Sequence, residues 1–459
     1  MQTTNAAARI AGRIGKAAVI VAVAVLVNVV LTFALEPYGS VTEATWYEYR
    51  TMPREQIDTV VVGTSYASFG VSPTELDKEL GSSSYNLSTM AQTLPNSLGV
   101  IRRALKEHPV KRVVLCIGSE SLQNYPQYDR EVAFLQVKSL GEPLPDVLQN
   151  VATIALDELN YPTSKSLSWV FPWSYDTVEL TPEAIATNIR RRLQADDPTQ
   201  IIVERDQKWR YEGRGHCAYD DHMDVGGITR DKFTTQTNDP FLQKNVRELT
   251  ELMDACADVG VPLYLVVAPR FDFEILSHQD EAHVKLMQEL QGMAQQHGAC
   301  YLDLNLAKSD FYRPLQSDFA DIQHLNVEGS HRFSAALGKL MKRIEERKSI
   351  DDLMFTYDQW DEYLASYDDL ALCVGDYELQ QDGVLVQAEA ITAPNVRVEY
   401  AFDVQDDATG KPVAKQEYGA SNTMRVPLEG HGSLTVVARA RVAGTTSPDE
   451  RSCHFTISY

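Results

Sequence analysis

Asp321 and His324, in the late stretch "DFADIQHLNVEGSH", stand three positions apart. Within one helical turn that spacing puts both side chains on one face. A carboxylate beside an imidazole can hold its Nδ1–H, fix its tautomer and stabilise the imidazolium. His324 Nε2 is then free to take a proton from a hydroxyl. The matching hydroxyl is Ser65, in "VVVGTSYASFG" (60–70), where a run of valines stops at a Gly-Thr-Ser turn. A serine needs such a base because it is a weak nucleophile at its own pKa. Asn86, in "YNLS", offers an amide N–H to an oxyanion, alongside the Ser65 backbone N–H. Alone, Ser65 would read as a helix N-cap. A phosphate cradle lacks its GK[ST] lysine. The GxSxG elbow is absent, since Ala67 stands two residues after Ser65.

The elements around these residues explain how they could meet. "DTVVVG" (58–63), "KRVVLCIGSES" (111–121), "VPLYLVVAPR" (261–270) and "ACYLDLN" (299–305) read as buried strands, and "YNLS" (85–88) as the end of another. "PNSLGVIRRALKEH" (95–108), "PFLQKNVRELTELMDACADVG" (240–260), "EAHVKLMQELQGMAQQHG" (281–298) and "EGSHRFSAALGKLMKRIEER" (328–347) read as helices. The alternation implies a parallel α/β sheet of flavodoxin-like type. Ligands bind beyond the carboxyl ends of such strands. Ser65, Asn86, Glu120, Arg270 and the Asp321–His324 pair all fall there. Arg270 is a candidate contact for an anionic substrate, with a surface salt bridge as the rival. Tyr66 is a candidate wall and Glu120 a candidate substrate contact.

Residues 17–35, "AAVIVAVAVLVNVVLTFAL", are interrupted only by Asn28 and Thr32. As a helix they span about 28 Å, enough for a bilayer core. Arg9, Arg13 and Lys16 precede them, and Glu36, Glu43 and Glu48 follow. That asymmetry places residues 1–16 in the cytoplasm and the bulk outside, as a single-pass membrane anchor. A cleaved signal peptide is the rival; it calls for a shorter apolar region and an A-x-A-like site. The α/β domain is expected over 50–348, with an insertion at about 122–240. A helical linker over 349–371 follows. Residues 372–459 alternate apolar and polar positions and read as a β-sandwich of immunoglobulin or fibronectin-like form. The net charge of −22 at pH 7 excludes nucleic acid as a partner, and no basic stripe overrides it.

The six cysteines form no CxxC pair. Cys373 and Cys453 are candidates for a disulfide in an oxidising exterior. Cys116 and Cys300 read as buried thiols. "GHCAYDDHMD" (215–224) gathers His216, Cys217, Asp220, Asp221, His222 and Asp224, but its spacing fits no known metal site. It reads as a polar loop lining a cleft, so no metal and no cofactor are expected. Trp169, Trp173 and Trp209 read as core, with sugar stacking as the rival. His331 reads as a helix-surface residue.

Ser65 in "GTS", Asn86 in "YNLS" and the late "DIQH" resemble blocks I, II and V of the SGNH (GDSL-like) hydrolase superfamily. The anchor, "IDTVVVGTSYASFGVSP" after it and the long insertion resemble the DltD-type proteins of that superfamily, over residues 1 to about 348. Those are extracytoplasmic proteins linked to acyl transfer onto cell-envelope polymers. The resemblance implies Ser65 as nucleophile, His324 as base, Asp321 as orienter, and Ser65 and Asn86 as oxyanion donors. It implies a membrane-anchored serine acyltransferase or esterase working through an acyl-enzyme. The substrate would be an envelope polysaccharide or teichoic-acid-like polymer, and the partner a multi-pass membrane O-acyltransferase. The sequence departs from the pattern at Thr64, where the family has Asp, and at "GSES", where block III has GxND. The second oxyanion donor then moves to backbone N–H groups near Ser88 or Ser121. The alternative is a catalytically inactive SGNH scaffold or glycan-binding protein supporting an envelope O-acylation complex.

Overall fold

The computed structural model describes residues 2–53, 56–123, 129–163, 167–175, 177–205, 208–223, 239–271, 276, 281–381, 383–427, 432–445 and 450–458. The chain opens on α1 (Gln2–Leu35) and α2 (Val41–Thr51). There follow β1 (Thr59–Gly63), α3 (Ser65–Gly70), α4 (Pro73–Leu80), β2 (Ser84–Asn86), α5 (Leu94–Glu107), β3 (Arg112–Ile117) and the short α6 (Glu120–Gln123). Helices α7 (Asp129–Ser139), α8 (Leu144–Asn160), α9 (Pro182–Gln194) and α10 (Pro198–Arg205) come next. The chain continues with β4 (Trp209–Gly213), β5 (His216–Tyr219), α11 (Gln243–Asp258), β6 (Leu263–Val267), α12 (Glu281–Gln296), β7 (Cys300–Asp303), α13 (Val327–Glu345) and α14 (Trp360–Ser366). It ends on seven strands, β8 (Leu370–Gln380), β9 (Gly383–Thr392), β10 (Val398–Asp406), β11 (Pro412–Gly419), β12 (Thr423–Val426), β13 (Ser433–Val442) and β14 (Arg451–Ser458).

These elements form two compact units. One comprises Met1–Met52, Thr89–Thr93 and Tyr125–Gln207; the other comprises Pro53–Ser88, Leu94–Asn124 and Lys208–Tyr459. The second unit holds a five-stranded parallel sheet in the order β2-β1-β3-β6-β7. Counting only the sheet's own strands, that order is 2-1-3-4-5, the flavodoxin-like arrangement. Strands β1 and β6 are buried at every position. Such strands lie between two layers of helix and show unbroken apolar runs rather than alternation.

The end of β1 depends on Gly63. Its φ is +146°, and a Cβ there would lie 2.0 Å from the Cys116 carbonyl oxygen on β3. Only glycine lets β1 stay paired with β3 up to its last residue and then turn into α3 at Ser65. The insertion divides between the two units. Residues 125–207 cluster with α1, whereas the chain from Lys208 on, with the β4–β5 hairpin, belongs to the α/β unit.

The C-terminal strands form two antiparallel sheets, β11-β10-β13-β14 and β12-β9-β8. Leu370, Cys373, Val386, Phe402 and Val436 fill the core between them. Neighbouring β8 residues Leu372 and Val374 join the α/β core with Phe319 and Leu337. One strand therefore serves two cores. Cys373 and Cys453 are unbonded thiols with sulfurs 3.9 Å apart. Cys116 is fully buried, and burial pushes its thiol up to about 12, whereas Cys300 is partly exposed.

In the other unit, Arg13–Leu35 of α1 is long and apolar enough to cross a membrane, and none of it is buried. Helix α9 runs against the last turns of α1. Asn188 donates to Leu35 O, and Arg192 donates to Glu36 O. The Gly63→Ala substitution is expected to cost about 2–4 kcal/mol, because β1 and β3 must part to admit the methyl group. Denaturant midpoints of wild type and variant check this; an unchanged midpoint contradicts the role given to Gly63.

Candidate active site

Ser65 is the first residue of α3, directly beyond the carboxyl end of β1. Its backbone N–H has no intrahelical partner by position. His324 arrives from the segment between β7 and α13. Its residues 320–324 form a bend rather than a helix, contrary to the single helical turn expected from the spacing. Phe319 bridges to Leu325, and Ala320 N donates to His324 O at 2.9 Å. The three-residue spacing works through the Asp321 carboxylate instead. Asp321 Oδ1 accepts from Gln323 N at 2.7 Å and from His324 N at 2.8 Å. The turn is thus tied by its own aspartate.

The same carboxylate holds the ring. His324 Nδ1 lies 3.0 Å from Asp321 Oδ1 and 2.9 Å from Oδ2. His324 Nε2 lies 2.9 Å from Ser65 Oγ. Burial alone would raise the Asp321 carboxyl, but the hydrogen bond from His324, its charge and two backbone N–H groups hold it below the usual range. Three aromatic rings fix the imidazole plane. Tyr66 stacks on it at 5.7 Å, Phe69 meets it edge-on at 5.4 Å and Tyr219 lies tilted at 5.8 Å. After this turn Asn326 caps α13 through Gly329 N at 3.0 Å.

Asn86 stands elsewhere in the chemistry than the sequence suggests. It is completely buried, and its amide donates to Ala67 O at 2.7 Å and to Val71 O at 2.9 Å. Both N–H groups are used to satisfy the backbone around short α3, so neither points at an oxyanion. The substitute donors are engaged as well. Ser88 N donates to Asn86 Oδ1 at 3.1 Å, and Ser121 N donates to Gly118 O at 3.1 Å.

Arg270 is likewise not an open anion site. It is 4% exposed, and its guanidinium donates to Glu120 Oε1 at 2.7 Å and to Tyr66 Oη. The guanidinium also lies over the Tyr66 ring, 3.9 Å from its centroid. Glu120, where the family pattern has asparagine, is therefore neutralised by Arg270. Gly118 makes room for the pair, since a Cβ there would lie 2.2 Å from Glu120 Oε1. Tyr66 works as a link between Arg270 and the His324 ring.

The sequence reading missed one cluster. "GHCAYDDHMD" is not a polar loop; its first part is strand β5, with His216 and Cys217 fully buried. His216 Nε2 donates to Phe69 O at 3.1 Å, and its Nδ1 lies 3.0 Å from Glu212 Oε2. The same Glu212 oxygen takes His331 Nε2 at 2.7 Å. His331 on α13 is therefore tied to the hairpin and is no simple surface residue. Asp220 pairs with Arg210 and Asp221 with Lys208 across the hairpin. His222 contacts Asn326, and Asp224 lies outside the described residues. Among the described residues no cluster of His, Cys, Asp and Glu could hold a metal ion. Trp209 packs on Phe69 and Tyr219, and Trp169 is buried. The signal that could have found this cluster is the Glu-x-x-x-His spacing, which period-two reading of a hairpin obscures.

No protein-family model and no curated protein matches the chain. Among solved structures, a lipase/acylhydrolase from Enterococcus faecalis is 12% identical, covering 64% of this chain and 98% of its own, with a TM-score of 0.27. A protein from Bacteroides fragilis assigned as an acylhydrolase is 10% identical, covering 66% and 94%, with a TM-score of 0.25. Overlap this slight carries no argument about chemistry, which rests on the distances above.

Burial alone would raise the Glu212 carboxyl, but hydrogen bonds from His216 and His331 hold it far below the usual range; Glu212 in turn raises His331. Glu212→Ala leaves a buried imidazole without its partner and is expected to cost about 2 kcal/mol. The His331 part of that loss is present below its unfolded value of 6.5 and fades as pH rises through its raised folded value. The gap between wild-type and variant unfolding midpoints should narrow as pH rises through that window. A gap that widens contradicts the assignment.

Proposed function

We propose that this chain is a membrane-anchored, extracytoplasmic serine acyltransferase or esterase of SGNH type, acting on cell-envelope glycopolymers through an acyl-enzyme. The observation that carries this reading is the unbroken chain from the Asp321 carboxylate through His324 to Ser65 Oγ. His324 Nε2 takes the Ser65 proton as Oγ attacks an acyl carbonyl, and Asp321 stabilises the imidazolium. The tetrahedral oxyanion collects on the Ser65 side, where the backbone N–H at the start of α3 donates to it. Collapse expels the leaving alcohol, which takes the proton back from His324. An acceptor hydroxyl of the polymer, or water, then gives its proton to His324 and attacks the acyl carbon. The new ester or acid leaves as Ser65 regains its proton.

The apolar stretch of α1 supports the anchor, with residues 1–16 on the cytoplasmic side by their basic charge. One span cannot carry acyl groups across a bilayer, which is why a multi-pass O-acyltransferase is the partner we propose. A second reading has one observation in its favour. Asn86, Ser88 N and Ser121 N are all engaged, so none of these three donors is free to serve as the second oxyanion donor. On that reading the α/β unit is an inactive scaffold, and the C-terminal β sheets recruit glycans or envelope proteins.

A fluorophosphonate probe separates the two. Wild type is expected to label at Ser65, and Ser65→Ala to remain unlabelled while folded. His324→Ala should slow labelling by about 10³-fold or more, since the base and nucleophile act as a unit. Folded wild type that resists the probe as fully as Ser65→Ala favours the scaffold.

A further inference from the structure

The unit built on α1 exposes apolar side chains in an unusual pattern. On α8, Leu144, Leu148, Leu156 and Leu159 are all exposed, with Leu159 78% accessible. Their spacing of four, eight and three, with exposed Ala152 between, makes one continuous stripe along the helix. The opposite side of α8 is satisfied, since Ile154 packs with Ala133, Val137 and Trp169. Leu167 and Phe171 are exposed just beyond it. By contrast, the described residues of 53–88, 94–124 and 208–459 expose only Val259, Leu315, Tyr377 and Leu379 among large hydrophobic side chains. Soluble surfaces do not gather leucines in this way without a partner.

Hydrogen bonds connect the packed side of α8, through the 167–173 segment, to α1. Glu158 of α8 accepts from Leu167 N and from Trp169 Nε1. Next to them, Val170 O accepts from Asn28 Nδ2 at 2.8 Å, and Trp173 Nε1 donates to Asn28 Oδ1 at 2.7 Å. Asn28 lies seven residues before Leu35, the end of α1. At 1.5 Å per residue that is about 10 Å inside the end of the span. The aromatic segment 168–173 therefore sits at the depth where interfacial helices and tryptophans reside. It also explains Asn28, a polar residue within the span whose amide is satisfied by this segment.

We infer that α8 and the 167–173 segment form a membrane-interface platform. Its leucine stripe contacts lipid of the leaflet on the Leu35 side. The inference rests on α1 being a retained anchor. The occupant is lipid rather than a protein, because Asn28, within the apolar stretch of α1, holds Val170 and Trp173 beside that stretch, and α8 is tied to the same segment through Glu158.

The test uses the full chain in phosphatidylcholine–phosphatidylglycerol vesicles carrying brominated acyl chains. An environment-sensitive maleimide is attached at Leu148→Cys, Leu156→Cys or Val23→Cys, and the signal of the unsubstituted chain is subtracted. Loss of most of the fluorescence at all three positions is expected. Quenching at position 23 without quenching at 148 and 156 overturns the platform and leaves the anchor standing. Quenching at 148 and 156 alone overturns the anchor and, with it, the platform's placement beside the span. Protection of 148 and 156 in native membranes, with none in pure lipid vesicles, assigns the stripe to a protein partner and overturns the lipid contact.

Discussion

A hydrogen bond between Ser65 and His324, residues 259 positions apart, brings the first strand of the sheet and the segment before its last helix together. Each end is fixed locally before they meet. On one side, Gly63 allows β1 to run into α3 with no Cβ against Cys116 O, so Ser65 has one place to be. On the other, a single Asp321 oxygen ties down two backbone N–H groups and the imidazole. Rings from Tyr66, Phe69 and Tyr219 then leave the imidazole little freedom to turn. Preorganisation of this kind lowers the cost of reaching a reactive geometry.

The charges around Ser65 follow one logic. Glu120 would oppose a developing oxyanion if it stood alone. Arg270 cancels it, and its guanidinium is held flat over Tyr66, which in turn stacks on His324. From the other direction, His216 and Glu212 tie Phe69 O to the hairpin and to His331 on α13. Helix α3 is thus braced by the β4–β5 hairpin and by the helix that follows the histidine turn. On this account the site's electrostatics serve the position of two side chains more than direct contact with a substrate.

The sheet was legible because its strands are buried on both faces, and continuous valine and leucine runs admit few other readings. Asp321 and His324 were legible because their chemistry survives a wrong guess about the backbone: a bend tied by the aspartate delivers the same pairing as a helical turn. Asn86 was misread because its amide has two uses, and sequence does not say which competitor wins. The six-residue α3 leaves the Val71 carbonyl to be satisfied, and Asn86 satisfies it while adding a second donor to Ala67 O, which already accepts from Val71 N. For Arg270 it is the salt-bridge reading that the structure bears out, buried rather than at the surface, with a partner, Glu120, 150 positions away. His216 was hidden because its burial depends on Phe69 O, 147 positions distant. The exposure of the α8 leucines is a property of packing that their spacing alone does not carry.

The central claim is that Ser65 carries the acyl group. Its most direct measurement is mass spectrometry of the full chain after brief exposure to an activated ester and acid quench. The account predicts one added acyl group, located on the peptide containing Ser65, absent from Ser65→Ala and strongly reduced in His324→Ala. An acyl group found on another residue, or equal modification of wild type and Ser65→Ala, contradicts it.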